Sequence, residues 1–392
     1  TLAEPNSVVV QTAKGVDVAW WKSTGAQLAL IGGGIALVSS SKSKSGTSDA
    51  SQSAKDMLTT YAAAADPTKV TTPTLANYAD AGIKGVDTGN LDAINSAITI
   101  NRARIKDLAG VQTVLTAYQK LFNKANGTAA DNTTDDPTLG DYQALGIKLS
   151  KETIDNQFHQ IDLLNDIIKN RISTDINNVT KIDAFASIAD RIMLNAKGNT
   201  PSSQLTLAEL KSIGLTDVTE ANLPSIISAI TASADDGTGV KSISQLISIQ
   251  AAYIKVLNEA DGVKLNTTDA TKIPTATELQ ALGVILGKAG TPTDKQQVNA
   301  LKLLNEVIDG VNNAAVDTVA ELNALASTVD KLMGVAISTD STKATNLGLE
   351  ASAITSLGIA GVTTDSLAQV IEAIRLTQSA DAQKINSIRQ LQ

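Results

Sequence analysis

One short phrase closed by glycine and an aliphatic residue occurs five times in this chain, and that recurrence constrains the fold more than any other feature. It reads PTLANYADAGI at 73–83, PTLGDYQALGI at 137–147, TLAELKSIGL at 206–215, PTATELQALGV at 274–284 and LEASAITSLGI at 349–359. The anchors are Gly82-Ile83, Gly146-Ile147, Gly214-Leu215, Gly283-Val284 and Gly358-Ile359, at intervals that lengthen from 64 to 75 residues. A period of this size with drift confined to loops is the mark of a tandem array. Within each phrase, apolar residues stand seven and four places before the glycine, as with Leu75 and Tyr78 or Leu139 and Tyr142. That spacing predicts a short helix ended by a glycine in the left-handed region, which only glycine enters without strain.

Two further amphipathic stretches follow each phrase. Leu223, Ile226, Ile227 and Ile230 in one unit match Leu367, Val370, Ile371 and Ile374 in another, both at i, i+3, i+4, i+7. That is the apolar stripe of a second helix. A third helix carries Ile243, Leu246, Ile249, Tyr253, Val256 and Leu257, with Val111, Val114, Leu115, Tyr118 and Leu121 as counterparts elsewhere. The predicted fold class is all-α, a tandem array of small three-helix bundles. The units run 73–127, 137–198, 205–262 and 274–338, after a partial unit at 49–70. A last unit, 349–392, stops inside its third helix, to be continued or completed by a neighbour. Alone, each unit of about 60 residues would be marginal, so stacking adds stability.

The N-terminal 48 residues differ. Val8, Val9 and Val10 form a strand-like run, Trp20 and Trp21 are the only tryptophans, and Ala26–Val38 is apolar with three central glycines. The apolar stretch falls below the roughly 17–25 residues a membrane-spanning helix needs. It reads as a buried or interfacial apolar helix, followed by a Ser-rich linker at 39–48. A lone strand needs a partner, so residues 1–38 are expected to mediate subunit contacts through Val8, Val9, Val10, Trp20, Trp21, Leu28, Leu30, Ile31, Ile35 and Leu37.

Chemistry is sparse. The chain of 392 residues has no cysteine and one histidine, His159, which excludes thiolate catalysis, disulfides, histidine triads and multi-histidine metal sites. A net charge of −8, with both signs scattered, argues against a nucleic-acid partner. Asp235-Asp236-Gly237-Thr238-Gly239 lacks the spacing of an EF-hand or a phosphate loop and reads as a turn. Asn132-Thr133-Thr134-Asp135-Asp136 groups carboxylates that could hold a structural calcium, against the plainer reading of a solvated linker. No cofactor and no enzymatic activity are expected.

The repeated "tLa-d/e-aLGi…vt…nL..i..aI" pattern over 73–392 resembles the helical tandem repeats of large cysteine-free bacterial cell-surface proteins, the giant adhesins and related surface-layer or filament proteins. In outline the unit is also similar to the three-helix albumin-binding modules of bacterial surface proteins. The resemblance implies an extracellular, structural protein of the bacterial surface. Such a protein would assemble with itself into a layer, sheath or filament, or form the stalk of an adhesin. The alternative it implies is a set of modules that bind a host surface protein or a cell-envelope component.

Overall fold

The computed structural model describes residues 28–31, 34–37, 47–125, 136–149, 154–199, 201, 203–263, 271–287, 294–345, 347–380 and 385–392. Among them the fold is helical apart from one two-stranded hairpin. A leading helix, α1 (Thr47–Ala63), precedes a repeated order of short, middle and long helices. The first round is α2 (Leu75–Asp80), α3 (Leu91–Asn101) and α4 (Leu108–Ala125). The second is α5 (Leu139–Ala144), α6 (Ile154–Lys169) and α7 (Val179–Ala196). The third is α8 (Leu207–Ser212), α9 (Leu223–Thr231) and α10 (Ile243–Glu259), and the fourth is α11 (Ala276–Ala281), α12 (Asp294–Asp309) and α13 (Val319–Ile337). After α14 (Ser341–Thr345), the fifth comprises α15 (Ala351–Ser356), α16 (Leu367–Ala380) and α17 (Ile388–Leu391).

The short helices are delimited by local chemistry at both ends. Thr74, Thr138, Thr206 and Thr275 each accept the amide of the residue three places on, and that residue's side chain accepts the threonine amide in return. These reciprocal bonds satisfy two of the donors a helix start leaves open. At the other end, the five anchor glycines have φ of +83, +80, +111, +79 and +81°. The turn carries the next aliphatic amide back to the carbonyl five residues earlier, as in Ile83 N to Tyr78 O at 2.9 Å and Val284 N to Leu279 O at 2.9 Å. The fifth short helix opens on Glu350, which makes no side-chain cap.

Packing crosses the boundaries that the sequence pattern draws. Four of the five short helices lie chiefly against the long helix before them: α2 on α1, α5 on α4, α11 on α10 and α15 on α13. The middle helices α3, α6, α9 and α12 each contact both the preceding long helix and the long helix that follows, as α6 does with α4 and α7. Every long helix except the last therefore serves two successive units. The buried apolar side chains accordingly form one continuous cluster from Ala54 to Ile388. Val111, Val114, Leu115, Tyr118 and Leu121, the predicted stripe of the first long helix, are all at most 2% exposed.

At the N-terminal end, the expectation of an apolar helix is corrected. Leu28–Ile31 (β1) and Gly34–Leu37 (β2) pair antiparallel, with Leu28 opposite Leu37 and Ile31 opposite Gly34. The physical reason lies in the glycines. Each costs a helix interior about 1 kcal/mol relative to alanine, whereas a Gly-Gly pair between apolar runs suits a two-residue hairpin connection. The start of α1 at Thr47 also places helix inside the last residues of the stretch read as linker.

Candidate inter-repeat interface

The recurring polar chemistry of this chain lies at the junctions between units. The first device joins a short helix to the long helix before it. The capping acids Asp141, Glu209 and Glu278 each receive a cation from that long helix: Lys120 at 2.8 Å, Arg191 at 2.5 Å and Lys255 at 2.6 Å. Lys120, Arg191 and Lys255 occupy corresponding positions in their helices, so one acid serves a cap and an ion pair at once. In the first unit the capping residue is Asn77, which is uncharged. In the fifth, Ala353 stands there, and Lys331 on α13 instead donates to the carbonyl of Gly348 at 3.0 Å.

Arg191 binds Glu209 through two nitrogens and also donates to the carbonyl of Gln204 at 3.0 Å. The guanidinium hydrogen bond is the main reason the Glu209 carboxyl is held down at about 2 from an ordinary 4.5. A depressed carboxyl stabilises the fold above its unfolded value, and that contribution fades as pH falls from about 4.5 to about 2. With 31% of the Glu209 side chain still exposed, solvent screening reduces the effect to about 2 kcal/mol. In acid titrations followed by circular dichroism, Arg191→Gln should lose most of the stability change across that window. An unchanged titration would remove this junction from the acid response.

The second device is a buried amide. Asn95 on α3 donates to the carbonyl of Pro73 at 3.0 Å and accepts from the Tyr78 hydroxyl at 2.6 Å. Asn165 on α6 repeats both bonds, to Pro137 at 3.0 Å and from Tyr142 at 2.6 Å. In the fourth unit Asn305 donates to Pro274 at 2.9 Å, but Leu279 replaces the tyrosine and Asn305 Oδ1 is buried without a partner. The third and fifth units have Leu205 and Leu349 in place of proline, and Ile227 and Ile371 in place of asparagine. Proline and asparagine thus occur together or are replaced together. The reason is that a buried amide without an acceptor costs more than an apolar pair.

The third device reaches one unit further. In corresponding positions on the middle helices, Asp166, Ser228 and Glu306 accept the first-turn amides of the next unit's long helix. Those amides belong to Ile243 at 2.7 Å, Val319 at 3.0 Å and Ile388 at 2.9 Å. A fourth device occurs at alternate junctions. Tyr118 donates to the carbonyl of Ile176 at 2.6 Å, and Tyr253 to that of Val316 at 3.0 Å. Both carbonyls belong to 3-10 turns, or their ends, in the following unit: Ser173–Ile176 and Asn313–Ala315. In this one bond the junction of units one and two matches that of units three and four.

Of the residues singled out in the N-terminal segment, Leu28, Leu30, Ile31, Ile35 and Leu37 lie in the hairpin backbone. Val8, Val9, Val10, Trp20 and Trp21 lie outside the described residues, as does 132–135 of the candidate calcium cluster. Asp136 pairs with Lys124 at 2.5 Å. His159 lies 3.4 Å from Asp162 on the same helix, and Gly237 turns the Asp235–Gly239 loop at φ +79°. Among the described residues, no group of three or more His, Cys, Asp or Glu could hold a metal ion. No helix among them is long and apolar enough to cross a membrane. Sequence reading missed the junction side chains, although the joint replacement of proline and asparagine was visible in the repeats. Comparison with protein-family models, curated proteins and solved structures returned no match.

Proposed function

We propose that this chain is a structural segment of a bacterial cell-surface protein, assembling with itself into a layer, sheath or filament, or forming the stalk of an adhesin. The observation that carries the reading is that the long helices serve two successive units, each junction being bridged by side-chain bonds. Such an array moves as one body rather than as linked beads, which suits a part that transmits force or holds a spacing. The β1–β2 hairpin supports a role for residues 1–38 in subunit contacts. A two-stranded hairpin is marginal alone, and among the described residues each strand has one edge without a partner strand, which a strand from another subunit could take.

Electron microscopy of the purified chain, beside a variant lacking residues 1–38, tests both parts. Ordered polymers from the full chain and monomers from the shortened one are the expected result. Monomers from both would overturn self-assembly. Polymers from both would move the contact surface out of the N-terminal segment.

A further inference from the structure

Two crevices of the same construction occur at the alternate junctions, one of about 360 Å³ between units one and two and one of about 410 Å³ between units three and four. Each is formed by the loop entering a middle helix, the following long helix, and the 3-10 turn of the next unit. The lining residues correspond in register. Asn90 and Asn222 immediately precede their middle helices, Phe122 and Leu257 lie four residues beyond the matched tyrosines, and Asn123 and Asn258 lie five beyond. Ser173 and Asn313 stand at the start of the two 3-10 turns.

The walls are held before anything binds. Asn90 donates to the carbonyl of Gly85 at 2.8 Å and accepts the amide of Asp87 at 3.0 Å. Asn222 repeats the pattern with Asp217 at 3.1 Å and Thr219 at 2.8 Å. The Tyr118 and Tyr253 bonds fix the turns that close the other side. A preorganised site spares a ligand the ordering cost of making one. On the rims, the amides of Asn123 and Asn258 are exposed and bond to no protein group among the described residues.

The chemistry of the lining is selective. Half-buried Leu257 and the 9% of Phe122 left exposed offer apolar surface, the surrounding groups are amides and hydroxyls, and each crevice contains one carboxylate, Asp87 or Asp317. Among the described residues neither is lined by a lysine, arginine or histidine, so an anion finds no counter-charge there. A ring with one apolar face and a rim of hydroxyls satisfies every part of that description. We infer that the two crevices are copies of one binding site for an uncharged sugar ring. The chain would then hold a polysaccharide at two points, with the avidity that double attachment brings.

The test uses the full chain with cellotetraose, maltotetraose and chitotetraose as probes, alongside tetragalacturonate and a proline-rich decapeptide. Binding is followed by saturation-transfer NMR and calorimetry. At least one uncharged tetraose is expected to bind at both crevices. Asn123→Ala and Asn258→Ala should each remove one of the sites, and together they should weaken binding at least tenfold with the circular dichroism spectrum unchanged. The inference is overturned if no uncharged tetraose binds at about 10 mM, a level that would detect even millimolar affinity. It is equally overturned if the double variant binds as well as the parent, or if only the acidic sugar or the peptide binds. Polymers in the microscope without sugar binding would count against this inference alone, and sugar-binding monomers against self-assembly alone.

Discussion

Replacing Asn165 with isoleucine is expected to destabilise the second unit by about 3 kcal/mol, although isoleucine is what the third and fifth units carry at the corresponding position. The substitution removes the donor to Pro137 and the acceptor for Tyr142, whose hydroxyl lies in a fully buried residue. Each group left unpaired costs about 1–3 kcal/mol, and the isoleucine recovers part of that through apolar burial. Adding Tyr142→Leu and Pro137→Leu reproduces the arrangement of Leu210, Leu205 and Ile227, and this triple variant should recover more than half of the loss. Interaction between the substitutions is expected because they share one buried cluster. Amide exchange in α5 and α6 is the appropriate measurement, since an array of units opens locally before it unfolds as a whole. If the single and triple variants lost protection equally, the buried amide would not be what couples these positions.

The second large effect concerns two glycines that look alike in the sequence. Gly283→Ala should cost about 3 kcal/mol and Gly82→Ala about 1 kcal/mol. Both have positive φ, +79° and +83°, so alanine pays about 1–2 kcal/mol at either place for the left-handed backbone. A methyl at Gly82 meets nothing within 4 Å. At Gly283 it comes within 2.9 Å of the carbonyl oxygen of Ala232, in the unit before. Backbone there cannot give way as a flexible side chain would, so the strain adds about 1–2 kcal/mol. Denaturant midpoints for the two variants make the comparison, and equal losses would show that the fourth unit yields freely at this contact.

These two cases show which parts of the molecule were legible in the sequence. Gly82 and Gly283 announce a left-handed turn because no other residue suits one, and all five anchor glycines adopt it. Leu223, Ile226, Ile227 and Ile230 announce a helix because their spacing returns them to one face. The start of the middle helices was less legible: ahead of α16 it is Thr363 that accepts the amide of Ser366, and its neighbour Thr364 looks the same in the sequence. Asn165 gives no such signal by itself, since its role depends on a carbonyl 28 residues earlier. The apolar stretch at 28–37 misled because its hydrophobicity is compatible with a helix or a strand. The glycine pair and the backbone pairing it permits decide for the strand.

By itself the sequence determined the helical class, the short helices with their caps and the five-fold return of the same phrase, because these rest on bonds and periodicities spanning a few residues. Only the tertiary structure decided that α2, α5, α11 and α15 leave their own units to lie on the long helix before them, and that Tyr118 and Tyr253 make the same bond at alternate junctions. It also decided the meeting of Lys120 with Asp141, of Asn165 with Pro137 and of Tyr118 with Ile176. These partners lie 21, 28 and 58 residues apart, and no local pattern records such a meeting. It follows from burying one apolar stripe against two neighbours while pairing most of the buried donors and acceptors.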